Sequence, residues 1–182
     1  MFEHDYTLNG KHATMLKFIA NSKAQEKDNV GCAAIFNKYI TVYLNAAIWG
    51  LLYNRTALRD NESEDRARIY ADAFNTERET CVFIYRLVML LDPATKLSNN
   101  ERIDRAFRDD AKPDNDAKMI KNLDAFNAYV RGGIEQMYET FIEGCTTKDD
   151  YFERIIEVMA RFSDEVSGIS FEDRVLNLLK SE

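Results

Sequence analysis

Glu135, Glu139 and Glu143 recur every four residues. On a helix that spacing puts three carboxylates on one face. Such a row binds a metal or moves protons only where a second element brings matching ligands. Alone it is a solvated face, which is the expectation here. Arg131 stands four residues before Glu135 and reads as an ordinary i,i+4 ion pair with its sign order reversed. A second charged group is ERIDRAFR, with Arg102, Arg105 and Arg108 at i, i+3 and i+6. A helix carrying three guanidinium groups can contact phosphates, so these are the candidate nucleic-acid-binding residues. The segment follows a predicted helix and a connection of about seven residues, a loose helix-turn-helix likeness. Asp104, Asp109 and Asp110 dilute its positive charge.

Three polar residues sit in apolar surroundings: Asn45 in VYLNAAIW, Arg86 in FIYRLVML, and Asn127 on the seam described below. A buried polar group must be paired. One reading is interhelical hydrogen bonding that fixes register; the other is that Arg86 lines a pocket or binds an anion.

Other chemistry is not signalled. The two histidines, His4 and His12, stand near the N-terminus, outside any HxxxH or ExxH spacing, so no zinc or di-iron bundle is expected. The chain has no GxxxxGK[ST], GxGxxG or GxSxG pattern and no EF-hand spacing. No metal centre and no cofactor is expected. Cys32, Cys81 and Cys145 form no CxxC and read as free thiols of a reducing cytoplasm.

The elements that would position these residues are helices. Only 7 glycines and 2 prolines punctuate 182 residues, 46% of them apolar, which favours few long helices over many strands. Alternating strands joined by tight turns are not evident. Asn9 stands before a short amphipathic stretch. Residues 30–53 are expected to form a buried central helix, and a further helix is expected from Asn61 or Ser63 to about Asn75, with Tyr70, Ala73 and Phe74 inward. Thr76 and Glu79 have capping-box spacing before CVFIYRLVMLL, which Asp92-Pro93 ends. Ser98 and Glu101 repeat that spacing. DDAKPDND, 109–116, reads as a linker. Thr147 and Asp150 start YFERIIEVMARFSDEV, and Ser170 and Asp173 a last short helix. The fold class is all-α, a single helical domain of about seven to eight helices over 1–182, with a candidate sub-boundary near 110–114. The helices around 31–53, 76–91 and 116–143 should form the core.

Within the longest of these, Ile120, Leu123, Asn127, Val130, Ile134, Met137 and Phe141 alternate by three and four, the seam of a helix packed along its length. The period runs through Gly132-Gly133 without a phase break, so one continuous helix is expected, with a C-cap at Gly132 as the alternative. Each glycine costs a helix interior up to about 1 kcal/mol relative to alanine. Close approach of another backbone, or room for a large side chain such as Trp49, would offset that.

Net charge is −7. Residues 1–133 hold 19 Lys/Arg and 19 Asp/Glu, residues 134–182 hold 5 and 12. That excess reads as the solvated outer faces of C-terminal helices, or as a surface for a basic partner or a nucleic-acid mimic. Residues 30–53 have a span-like length, but Asn37, Lys38, Thr41 and Asn45 fall near their middle, so a buried helix and no membrane partner are expected. The N-terminus carries no signal-peptide pattern.

NAAIWGLLYNRTA resembles the small-apolar, Gly, Asn/Arg segment of small helical accessory proteins in bacterial DNA phosphorothioation and related defence clusters. YVRGGIEQMYETFIEG, followed by a Thr-Lys-Asp-Asp-Tyr helix start, is similar to their C-terminal part. Together the segments cover about a third of the chain and carry no catalytic motif. The resemblance implies a helical, cytoplasmic, non-enzymatic component acting beside DNA-modifying or DNA-cleaving proteins. The expected function is therefore that of a binding or scaffold protein with a protein partner. The alternatives are a nucleic-acid-binding protein using Arg102, Arg105 and Arg108, and an enzyme with a site assembled from scattered residues. A homodimer fits as well, because a helical seam can be satisfied between chains.

Overall fold

The computed structural model describes residues 1–20, 35–93, 96–113 and 116–167. Chain order is β1 (Tyr6–Asn9), α1 (Gly10–Ile19), α2 (Tyr39–Leu52), β2 (Arg66–Ile69), α3 (Ala71–Thr76), α4 (Arg78–Leu91), α5 (Asn99–Ile103), a π-helical turn (Asp104–Arg108), α6 (Ala117–Phe141) and α7 (Lys148–Ser167). The fold is that of a mostly helical single domain. Cys32 and the final helix expected after Ser170 lie outside the described residues.

Helices α2, α4 and α6 enclose the core, as expected. Tyr43, Phe74, Tyr85 and Phe126 are fully buried, and Tyr43 and Phe126 pack at 5.8 Å between ring centroids. Helix α6 runs unbroken through Gly132-Gly133, and the reason is backbone contact. A Cβ on Gly133 would lie 2.6 Å from the Ala46 carbonyl carbon and 2.8 Å from the Gly50 nitrogen. One on Gly50 would lie 2.8 Å from the Tyr129 carbonyl carbon, and one on Gly132 2.8 Å from the Thr56 Cα. So α2 and α6 cross at van der Waals distance. The connection after α2 lies across the same spot and is held there by Ala57 N–H donating to the Ala128 carbonyl at 3.0 Å. Along the predicted seam Asn127, Val130, Ile134 and Met137 are buried, whereas Ile120 is exposed, and Met119, Asn122 and Phe126 take its inward role.

Three boundaries differ from expectation. The helix expected around 31–53 is helical only from Tyr39; before it, Phe36 forms an isolated bridge with Ala20. The stretch read as a helix from Asn61 or Ser63 begins as strand β2, antiparallel to β1 with Leu8 opposite Ala67. Only Ala71–Thr76 is helical, and Tyr70 is exposed. The alternation spans four residues on each side, and the partners are some sixty residues apart, so no local turn announces the pair. At Thr76 there is no capping box: its Oγ donates to the Asp72 carbonyl at 2.8 Å, and α4 starts without a side-chain cap. Ser98 and Glu101 do form the reciprocal box. Asp150 accepts from the backbone N–H of Thr146 and Thr147 at 2.8 Å each, and its own N–H donates to Thr147 Oγ. Asn9 stands at the cap position of α1 but makes no side-chain bond; Asp60, across 49 residues, accepts from Lys11 N–H at 2.6 Å instead.

Candidate functional site

Of the glutamate row only Glu135 is withdrawn from solvent; Glu139 and Glu143 are exposed as expected, and Glu143 lies beyond the end of α6. Glu135 is buried, with His12 Nε2 at 3.0 Å and Lys11 Nζ at 2.9 Å from one oxygen, and Arg55 at 3.0 Å from the other. Arg55 also forks onto both oxygens of Glu139 and donates to Gln136 at 3.1 Å. Arg131 is buried too, but it does not pair with Glu135. It donates to the Ala57 carbonyl at 2.8 Å and to Tyr6 Oη at 3.2 Å.

A carboxylate 3.0 Å from an imidazole is the geometry of a general base and its orienting group. Here His12 is fully buried. Burial pushes its imidazole below the usual value, against the opposite pull of Glu135. Burial also acts to raise the Glu135 carboxyl, but the bonds from Lys11, His12 and Arg55 outweigh it and hold the carboxyl low. The cluster is therefore a compensated carboxylate that ties α1 and the 53–65 connection to α6. His12 Nδ1 is buried and meets no hydrogen-bond partner among the described residues.

The three candidate phosphate-binding arginines do not share a solvent face. Arg102 donates to the carbonyls of Leu90 at 3.0 Å and Asp92 at 2.6 Å, closing the end of α4. Arg105 is buried, 2.7 Å from Asp92 and 2.9 Å from Asn122 Oδ1. Tyr129 donates to the other Asp92 oxygen at 2.6 Å. Arg108 is exposed and paired with Asp104. The other polar candidates are also separate. Asn45 donates to the Thr41 carbonyl one turn back at 2.8 Å. Asn127 accepts from Tyr43 Oη at 2.8 Å inside the core. Arg86 is bonded to Asp110 and lies 5.2 Å over the Phe107 ring, beside a groove lined by Val82, Phe83, Leu87 and Leu90. Among the described residues no three His, Cys, Asp or Glu side chains gather as metal ligands, and no helix is long and apolar enough to cross a membrane.

Among the described residues several large apolar side chains are exposed, Leu58, Leu52 and Phe83 among them, and α7 carries four of them on one helix. Tyr151, Ile155 and Val158 pack against the body. Phe152, Ile156, Met159 and Phe162 are 56%, 67%, 61% and 59% exposed. Their spacing of i, i+4, i+7 and i+10 makes one stripe over an arc of roughly 120°, which starts at Phe162 within the packed sector and runs out from it to Ile156. Four large apolar side chains held together form a patch on the order of 400 Å², comparable to the largest apolar patch of an ordinary monomer, which is often functional. The signal was present in the sequence: α7 carries more apolar residues than one contact with α6 can cover.

No family model, no curated protein and no solved structure matches the chain.

Proposed function

We propose that this protein is a non-enzymatic helical binding protein that engages a protein partner through the outer face of α7. The observation that carries the reading is the exposed stripe of Phe152, Ile156, Met159 and Phe162. Water-facing apolar side chains at helical spacing are the pattern of a helix that packs against another. The resemblance of NAAIWGLLYNRTA and YVRGGIEQMYETFIEG to accessory proteins of bacterial DNA-modification and defence clusters extends the reading to an accessory role beside such enzymes. Those segments are the end of α2 with its connection, and the second half of α6 leading to α7, so the resemblance falls on packing segments. A cytoplasmic setting is in keeping with the free thiols of Cys81 and Cys145. Direct nucleic-acid contact through Arg102, Arg105 and Arg108 has less support, since the first two donate inward.

The test is affinity capture from the native host with and without nuclease, using the wild type and the Ile156→Ser/Met159→Ser variant. A partner that survives nuclease and is lost with the variant supports the reading. Capture that nuclease abolishes, or that the variant leaves unchanged, refutes it.

A further inference from the structure

The α7 stripe has two unlike borders. One is the body of the protein. The other is a row of carboxylates, Asp149, Glu153, Glu157 and Asp164, all exposed. Around the helix axis they follow the stripe directly, from roughly 20° to roughly 100° beyond Ile156. Of the four, only Glu157 has an ion pair among the described residues, with Arg154 at 3.9 Å. Arg154 itself turns away from the stripe and donates to the Thr140 carbonyl at 3.3 Å. The exposed cations of the helix are Lys148, at its first turn, and Arg161, about 40° beyond Glu157, so a chain laid along the stripe meets four carboxylates against one bordering cation on that flank.

Resting on the reading of α7 as a docking face, we infer that its partner is a basic amphipathic helix, with an apolar stripe flanked by Lys or Arg. The apolar anchors recur at the helical period, as in helix-in-groove recognition. The acidic row supplies complementary charge at the rim, where it sets orientation and association rate. The same row disfavours other occupants. A second copy laid antiparallel about a twofold axis would set each row against its own image, and like charges at that range repel. An anionic lipid surface or a nucleic acid would meet the same repulsion.

The test uses two dye-labelled helical peptides of about 18 residues. Both carry a leucine stripe; one is flanked by lysines, the other by glutamates. Fluorescence anisotropy is read at about 50 and about 500 mM NaCl, where screening differs strongly. The expected result is binding of the lysine peptide at least about tenfold tighter than the glutamate peptide, weakened by salt. Glu153→Gln/Glu157→Gln should weaken it several-fold, and Ile156→Ser/Met159→Ser should abolish it. These positions are exposed, and an unchanged circular-dichroism melt establishes that the variants fold. Equal binding of both peptides, lost in the serine variant, overturns the basic partner while leaving α7 as a docking face. Binding of the lysine peptide that the serine variant retains overturns both. No binding of the lysine peptide, or a concentration-dependent dimer in sedimentation that the serine variant abolishes, overturns the basic helix as occupant.

Discussion

Replacing Gly133 by alanine sets two magnitudes of opposite sign against each other. On helix propensity alone the change should stabilise α6 by about 1 kcal/mol. The crossing says otherwise. The new Cβ would lie 2.6 Å from the Ala46 carbonyl carbon and 2.8 Å from the Gly50 nitrogen, both backbone atoms that no rotamer change can move. Restoring ordinary contact requires α2 and α6 to part by roughly 1 Å, a gap that forfeits a quarter to a half of the dispersion at each contact along the crossing. Overpacking usually costs about 1–3 kcal/mol, occasionally more; backbone against backbone puts this site at about 3–4 kcal/mol, from which the propensity gain is subtracted. A net loss of about 2–3 kcal/mol is expected, lowering Tm by roughly 4–12 °C in a domain of this size. Differential scanning calorimetry reads it, with urea unfolding as a second measure. Gly144→Ala is the comparison. A Cβ there meets nothing within 4 Å, although φ is +81°, so its cost is backbone strain of about 1 kcal/mol without loss of packing. Gly133→Ala should be the more damaging of the two. A Tm equal to or above that of the wild type would show that α2 and α6 do not meet backbone to backbone.

Acid should destabilise the fold in two steps. The folded His12 imidazole lies below 6.5, so its contribution is present above that pH and is lost as pH falls toward the folded value. Glu135 lies below 4.5, and its contribution is lost in turn at lower pH; in both windows the unfolded chain binds the proton first. Urea midpoints measured against pH should fall below about 6.5, and His12→Gln should flatten that first limb; an unchanged slope in the variant refutes the assignment. Tyr129→Phe removes the 2.6 Å bond to Asp92 and should cost about 1.5–3 kcal/mol in urea unfolding. Asp92→Ala, which strips the carboxylate from Arg105, should cost more, roughly 3–5 kcal/mol; the reverse order would place the weight elsewhere. Burial, with Glu77 adding to it, pushes the Cys81 thiol up to about 11. Iodoacetamide at about pH 8 should therefore label Cys81 only as the chain unfolds, and peptide mass spectrometry showing modification in native buffer would contradict this.

The features legible in the sequence are those whose cause is local. The Ser98–Glu101 box, the Thr147–Asp150 start and the stop at Pro93 each depend on residues within one turn. The period through Gly132-Gly133 predicts a continuous helix because register is a property of the segment itself. What failed to show depends on distant residues. Thr76 has the spacing of a cap but is the last residue of α3, so its hydroxyl is taken by Asp72. The β1–β2 pair is too short for alternation to be seen. Glu135 has the spacing of a solvated row, and nothing within four residues of it reveals Lys11, His12 and Arg55. Arg102 and Arg105 have the spacing of a phosphate-contacting face, but the end of α4 claims both. A charged residue's role is set by what lies across the chain from it, which periodicity does not encode.

Helix α6 is fixed at three levels. Near its start, Asn122 and Tyr129 hold the Asp92–Arg105 pair. At its middle, the two glycines admit α2 and the connection that follows it. Near its end, Glu135 and Glu139 bind α1 and that same connection through Lys11, His12 and Arg55. Each level is specific in a different way, by hydrogen-bond geometry, by backbone contact and by charge, so sliding α6 by one residue would break all three. Buried ionic groups add little net stability against apolar replacements, and their clearest use is to hold one register. The chain leaves this fixed body after Phe141, and α7 stands on its edge. His12 of α1, Arg105 of the π-helical turn and Glu135 of α6 are thus spent on interior order, whereas α7 keeps exposed carboxylates and an apolar stripe in water. The proposed docking at α7 rests on a surface that the described residues leave uncovered, carried on a body whose register they fix. On that reading, the part of the acidic excess that matters for docking is the exposed set Asp149, Glu153, Glu157 and Asp164, whereas Glu135 is spent inside the body.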